Sequence, residues 1–404
     1  MTSNHFRFSA RGGIRGEIVE DRAPLVDVCT VTVLYLTVLV GDNRLDSFIP
    51  NAPGVQLRLI GVLTLLVLTV ASTQVRLDLF LKPWTVAGFT WLCYMLLTST
   101  WAPEGTLEYR SAVEELLWLF AIAATAYVAI GNCDIRAIPS LWKVIYYSGI
   151  AFAVAGLASG GGDQGRFAAF GGGPNTFVRI VFLAVIAAVV LTVARNRIGY
   201  LVPVPLLIAA VVLSGSRGGM ISAAIVAVGL LWVLRSRLGS AKMLAGLGLV
   251  LAVLTPVMIF TRLGSLLAEM VSRRILEGAI SEGNLSGRNN LYSEAIRVFG
   301  ENPLWGVGAG GFAQLQQALP IPSHPHNIIL SSLSEGGLIG GALLAVFIVS
   351  SLRPAVPSAE GSICRTGAIW ASIFILLASQ VSGYYFDFRM FFLFAAVAAV
   401  SGGV

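Results

Sequence analysis

Residues 286–340 read SGRNNLYSEAIRVFGENPLWGVGAGGFAQLQQALPIPSHPHNIILSSLSEGGLIG, and the rest of the chain is organised around this stretch. It opens with a helical run from Arg288, turns at ENPLWGVGAGGF, crosses a Pro-flanked SHPHN and returns to apolar sequence at Ile328. Nearly everything on either side is apolar helix, whereas this segment gathers Arg288, Glu294, Arg297, His324, His326, Asn327 and Glu335. Chemistry is expected here.

Working outward, the 404 residues are 56% hydrophobic and only 12% charged, with a mean hydropathy of +0.81. Soluble domains carry about a quarter charged residues, so the composition excludes an ordinary soluble protein and predicts an integral membrane one. Cys29, Cys93, Cys133 and Cys364 lie in or beside apolar runs with no C-x-x-C pair. Neither a disulfide framework nor a zinc site follows. The net charge of +6 is spread through inter-helix loops, where membrane topology explains it without nucleic acid. No A-x-A site follows the first apolar run, so an uncleaved span is expected rather than a signal peptide.

Apolar segments of ~17–25 residues match helical spans, and about twelve are expected: 25–41, 57–74, 83–100, 112–131, 139–158, 176–194, 200–213, 218–234, 243–260, 327–352, 367–383 and 389–402. The predicted fold is all-α, a polytopic transmembrane bundle with one long, partly helical loop before the tenth span. Its parts are a cytoplasmic basic tail at 1–24, spans one to nine at 25–260, a periplasmic loop with short helices at 261–326, and spans ten to twelve at 327–404.

With both termini inside, the short inner loops and the tail hold fifteen Lys and Arg against seven in the short outer loops, as the positive-inside rule requires. All three lysines fall inside, so every outer basic residue is an arginine. Guanidinium pairs bidentately with phosphate oxygens, which a point-charge ammonium cannot do. A GC-rich genome would produce the same bias.

Arg166 lies between the glycine clusters of GGGDQGRFAAFGGGPNT at 160–176, where it either meets an anionic headgroup or rides a freely bending loop. In SGSRGG, at 214–219, Ser216 and Arg217 sit at the mouth of a helix hairpin. An Arg pinned there either snorkels to lipid phosphates or faces a polar cavity, beside backbone N–H groups that open the next helix. In the long loop, leucines, Met270 and Val271 recur at helical spacing opposite Arg262, Arg273 and Arg274, which predicts an amphipathic surface helix. The Gly-rich connector is not a phosphate-binding loop of the G-K-[ST] type.

His324 and His326 flank Pro325 immediately before a span. A metal would need a third ligand, and none is evident in the outer segments, so no metal and no cofactor are expected. Imidazole suits proton abstraction from a hydroxyl near neutral pH. His326 is preferred over His324 as the base because it adjoins the span, Asn327 can orient it, and nearby arginines favour its neutral form. The run from Gly336 to Leu352 alone is short for a span, so the helix is expected to start near Ile328. That places Glu335 inside, paired with an Arg of a neighbouring span.

These residues carry a resemblance. SGSRGG, R-x-x-L-Y-x-x-A from Arg288, NPLWGVG-x-G-x-F from Asn302 and HN-x-x-L-x-x-x-x-E-x-GLIG from His326, in this order and topology, are similar to the O-antigen ligase/polymerase superfamily of bacterial envelope glycosyltransferases. The resemblance implies transfer of a glycan from an undecaprenyl diphosphate carrier to an acceptor hydroxyl on the periplasmic side of the inner membrane, without metal. It implies His326 as the base and Arg217, Arg288 and Arg166 as diphosphate ligands, supported by Ser216, Asn327, Glu335 and His324. The partners would be the carrier-linked donor, a glycan or lipid A–core acceptor and membrane lipids. A ligase and a polymerase differ only in acceptor, and the modest length leans towards the ligase. A secondary transporter is the alternative from another class, but it should place charges near the midplane and show paired broken helices.

Overall fold

A computed structural model of the chain describes residues 23–40, 54–71, 81–103, 107–160, 166–260, 288–316, 324–352 and 363–401, together with Gly264, Ser265 and Ser272. Among them, all regular structure is helical: α1 Leu25–Val40, α2 Gly54–Ala71, α3 Pro83–Thr98, α4 Leu107–Asn132, α5 Ile138–Ser159, α6 Pro174–Arg195, α7 Val204–Leu213, α8 Arg217–Phe260, α9 Arg288–Glu301, α10 Gly311–Leu315, α11 Ile328–Leu352, α12 Ile363–Ser382 and α13 Arg389–Val400, joined in places by short 3₁₀ turns. Apolar sequence in lipid must satisfy its own backbone, and helices do so within the segment. A helix accordingly occupies each of the apolar segments above. Six stretches are long and apolar enough to cross a membrane: Arg110–Asn132, Ile135–Ser159, Pro174–Arg195, Arg217–Ser236, Ile328–Leu352 and Ile363–Ser382. The chain is a multi-pass membrane protein. The basic tail up to residue 22 and nearly all of the expected amphipathic surface helix lie outside the described residues.

Helix α6 is the axis of the bundle, with 89% of its apolar window buried. It packs against α5, α7, α8 and α12. Small residues set the closest approaches: a side chain at Gly149 would strike Ala184, and one at Gly367 would strike Val190 and Trp142. An aromatic layer of Trp91, Phe347, Phe388, Phe391 and Phe392 joins α3, α11 and α13.

Two helices are interrupted. Helix α8 breaks at Gly239, where φ is 72°, between the segments read from sequence as separate spans. Helix α11 starts at Ile328, as its length required, and breaks at Gly337, where φ is 64°. The second break is filled by the connector between α9 and α10. Val307 and Gly308 donate to the carbonyls of Ser334 and Glu335 (3.0 and 2.9 Å), while Leu338 donates to the carbonyl of Pro303 (2.8 Å). Tyr94 donates its hydroxyl to Gly336 O at 2.8 Å. Glycine is required at this junction: Gly306 and Gly308 adopt φ of 67° and 84°, and a Cβ at Gly306 would lie 2.4 Å from the Glu335 backbone.

Candidate functional site

The chain order puts the end of α3, the starts of α4, α6, α8 and α11, and the α12–α13 turn at one end of the bundle. Cross-contacts tie them together there. Ala309 N–H donates to Thr98 Oγ1 (3.1 Å) and Gln314 to Pro103 O (2.8 Å), which fastens the connector onto α3. Phe167 N–H donates to Leu213 O at 3.1 Å, which docks the loop before α6 onto the end of α7.

The last turn of α12 is the hub. Tyr292 and Asn327 both donate to the carbonyl of Gln380 (2.8 and 3.0 Å). Gly218, next to Arg217, lies so close to Val381 that a Cβ would come within 2.2 Å. Arg179 donates to Ser382 Oγ at 2.9 Å and pairs with Asp387 at 3.2 Å. Arg288 is half-buried at the start of α9 and feels the charge of Arg179 and the phenol of Tyr292. Among the described residues no carboxylate lies within ion-pair distance of Arg288.

Each residue singled out from sequence has a definite place around this hub. His326 adopts a left-handed φ of 56°, unusual for a residue with a Cβ. That turn brings its ring to 4.1 Å from the ring of His324, which in turn stacks on Tyr384 at 4.5 Å. Burial first and the Arg288 charge second push the His326 pKa down to about 4. Burial, then His326, then Arg288 push His324 down to about 3. Both imidazoles are therefore neutral at pH 7 and able to accept a proton; burial outweighs the arginine effect expected from sequence. Ser216 caps α8, accepting from Gly219 N–H at 3.4 Å and donating to Asn175 Oδ1 at 2.7 Å, so that Arg217 begins the helix. Arg166 Nε donates to Ser214 O at 3.2 Å, two residues from Ser216. Arg166 is thus tied to the turn that leads into Arg217, while Arg288 lies within electrostatic reach of Arg179, His324 and His326.

Two sequence expectations need correction. Asn327 does not orient His326: its Oδ1 accepts from Ile329 and Leu330 N–H (3.0 Å each), capping α11, and its amide donates to α12. Glu335 is fully buried but is not paired with an arginine. Its carboxylate accepts from the hydroxyls of Tyr384 (3.2 Å) and Tyr385 and interacts with the backbone N–H groups of Gly310 and Phe312. Phenols and connector amides, all donors, replace the expected guanidinium, so Glu335 anchors the connector beneath the histidines.

Other participants were missed. Arg179 and Asp387 pair across 208 positions of sequence, and Tyr292 needed the docked α9 to matter. A cavity of about 350 Å³ opens beside His324, lined by Arg58, Ser111, Glu114, Glu115, Trp118, Tyr384, Phe386 and Asp387. Its α4 wall was legible, since Ser111, Glu114, Glu115 and Trp118 fall at i, i+3, i+4 and i+7 of an apolar helix. Among the described residues no three His, Cys, Asp or Glu side chains are grouped to hold a metal ion.

An all-helical membrane protein with guanidinium groups and neutral imidazoles at one end of its bundle is the class that fold and site define. The sequence model of the O-antigen ligase family matches residues 202–345, a segment running from the start of α7 through the break in α11. Over that segment, about a third of the chain, it is similar to the O-antigen ligase family. No curated protein matches it.

Proposed function

We propose that the protein is an inverting glycosyltransferase of the bacterial inner membrane, moving a glycan from undecaprenyl diphosphate to an acceptor hydroxyl on the periplasmic side. In this reading the chain has about twelve spans, both termini are cytoplasmic, and the end bearing the histidines faces the periplasm. Arg217 and Arg288, with Arg166 at the rim, hold the diphosphate. His326 takes the acceptor proton as the new C1–O bond forms and the bond from C1 to the carrier oxygen breaks, its electron pair leaving on the diphosphate. Negative charge grows on that oxygen in the transition state, so fixed guanidiniums facing it lower the barrier most. Attack from the opposite face inverts the anomeric centre.

The observation that carries the reading is the gathering of Arg179, Arg288, the start of α8 and the neutral His326 around the last turn of α12. Arg179 is matched by Asp387, which leaves the cationic surplus on the side of Arg288. A diphosphate supplies the missing anion, and by offsetting the Arg288 charge it also raises the basicity of His326 when the proton must move.

Deletion of the gene followed by analysis of envelope glycans tests this: unextended core marks a ligase, single-repeat products a polymerase. The ligase is favoured, with a lipid A–core sugar as acceptor. Complementation with His326→Ala is expected to fail although the protein reaches the membrane; normal glycan from that variant removes His326 from the mechanism, and retained anomeric configuration refutes inversion.

A further inference from the structure

None of the proposed diphosphate ligands, Arg166, Arg217 and Arg288, lines the cavity beside His324. Among the described residues its lining carries three carboxyl groups, Glu114, Glu115 and Asp387, and one cation, Arg58. Asp387 is engaged by Arg179 from outside the cavity, and the Arg58 guanidinium lies over the rings of Phe386 (4.6 Å) and Trp118 (5.9 Å). Carboxyl groups and aromatic rings thus share this lining. A sugar ring fits such a lining: carboxyl groups hydrogen-bond to ring hydroxyls, and an indole offers an apolar face to ring C–H groups.

Placement narrows the assignment. Glu114 and Glu115 sit one to two turns into a span, where ionisable residues line cavities and serve function by default. Glu115 is held in position by the backbone N–H of Phe386. The volume of about 350 Å³ is at the lower end of small-ligand sites, which run roughly 300–1,000 Å³. His324 is the shared wall: one side of it lines the cavity, and its ring lies 4.1 Å from His326.

We propose that this cavity is the acceptor-sugar site, with Trp118 as its platform and Glu114 and Glu115 as the residues that select an uncharged or amino-bearing sugar and exclude an acidic one. A hydroxyl of a sugar seated there points across the histidine pair towards the arginines on the far side. The assignment rests on the proposed transfer reaction for its role, but sugar binding itself needs no turnover.

The test is saturation-transfer NMR on the full-length protein in nanodiscs without donor, using methyl glucoside, methyl glucosaminide and methyl glucuronide. The neutral and amino glycosides are expected to bind, and the glucuronide roughly tenfold or more weakly. Glu115→Gln and Trp118→Ala should each weaken the glucoside by up to roughly tenfold, the first through a lost hydrogen-bond partner and the second through the lost ring face. Arg288→Gln should leave it unchanged. The glycoside ranking needs no variant, so it stands even where a substitution fails to fold. Equal binding of the glucuronide, no glycoside signal from the wild-type protein, or loss of binding in Arg288→Gln overturns the proposal. Absence of transfer activity, with the sugar ranking intact, sinks the enzymatic reading alone.

Discussion

Protonation of His326 offers the sharpest test of the site. An ordinary imidazole, with a pKa near 6.5, is about a quarter charged at pH 7. With the pKa pushed down to about 4 the charged fraction is about one in a thousand, and the drop corresponds to roughly 3 kcal/mol against the imidazolium. As the proposed base, His326 must be neutral, so activity is expected to hold as pH falls through 6.5 and to be lost only as it passes about 4. Because kcat/KM reports the free enzyme, its acid limb should have a midpoint near 4, while the limb of kcat, measured with diphosphate beside Arg288, should lie higher. Arg288→Gln should raise the free-enzyme midpoint by the smaller part of the drop, since burial is the larger cause. Histidine NMR in detergent reads the same titration without any reaction, and with only three histidines in the chain a His5→Gln background leaves two signals. A midpoint near 6.5 in both experiments, or no response to Arg288→Gln, refutes the reasoning.

Three further outcomes follow from the packing. Glu335→Gln keeps the volume but turns an amide N–H₂ towards donors; losing one or two charge-assisted hydrogen bonds at ~1.5–3 kcal/mol each should lower the unfolding midpoint in detergent by several degrees and abolish activity. Gly308→Ala puts a Cβ 2.6 Å from Ala102 and Thr98 O at a φ of 84°, so a loss of roughly 2–4 kcal/mol is expected, whereas Gly300→Ala, in open space within α9, should gain up to about 1 kcal/mol. Asn327→Ala removes the cap of α11 and its tie to Gln380, costing about 1–2 kcal/mol, while Asn327→Asp keeps the cap and should recover most of that loss in thermal unfolding.

Much of the architecture was legible because lipid imposes a simple rule on backbone. Apolar length placed helices at each expected segment, and the shortfall between Gly336 and Leu352 required α11 to start near Ile328, where it does. Position relative to those helices also led to the expectation that Arg166, Arg217, Arg288 and His326 lie at one end. The partners of Glu335 were not legible, since Tyr384 and Tyr385 lie some 50 positions away and meet it only after α12 packs beside α11. An arginine partner was a guess from charge alone, and the fold supplied neutral donors instead. The role of Asn327 was misread for a nearer reason: its position just before α11 makes it a helix cap before it can serve a neighbour. The acidic stripe on α4 was visible at helical spacing but reads as a boundary feature until His324 is seen to share its cavity.

The splice between the connector and the interrupted α11 has a consequence for how the protein matures. Neither piece can complete its peptide hydrogen bonding without the other, so the histidines take their places only once the segment outside the bundle has come home. A chain whose helices are inserted but whose connector is still loose has its candidate site unassembled, so under the proposed function no donor could be hydrolysed during biogenesis.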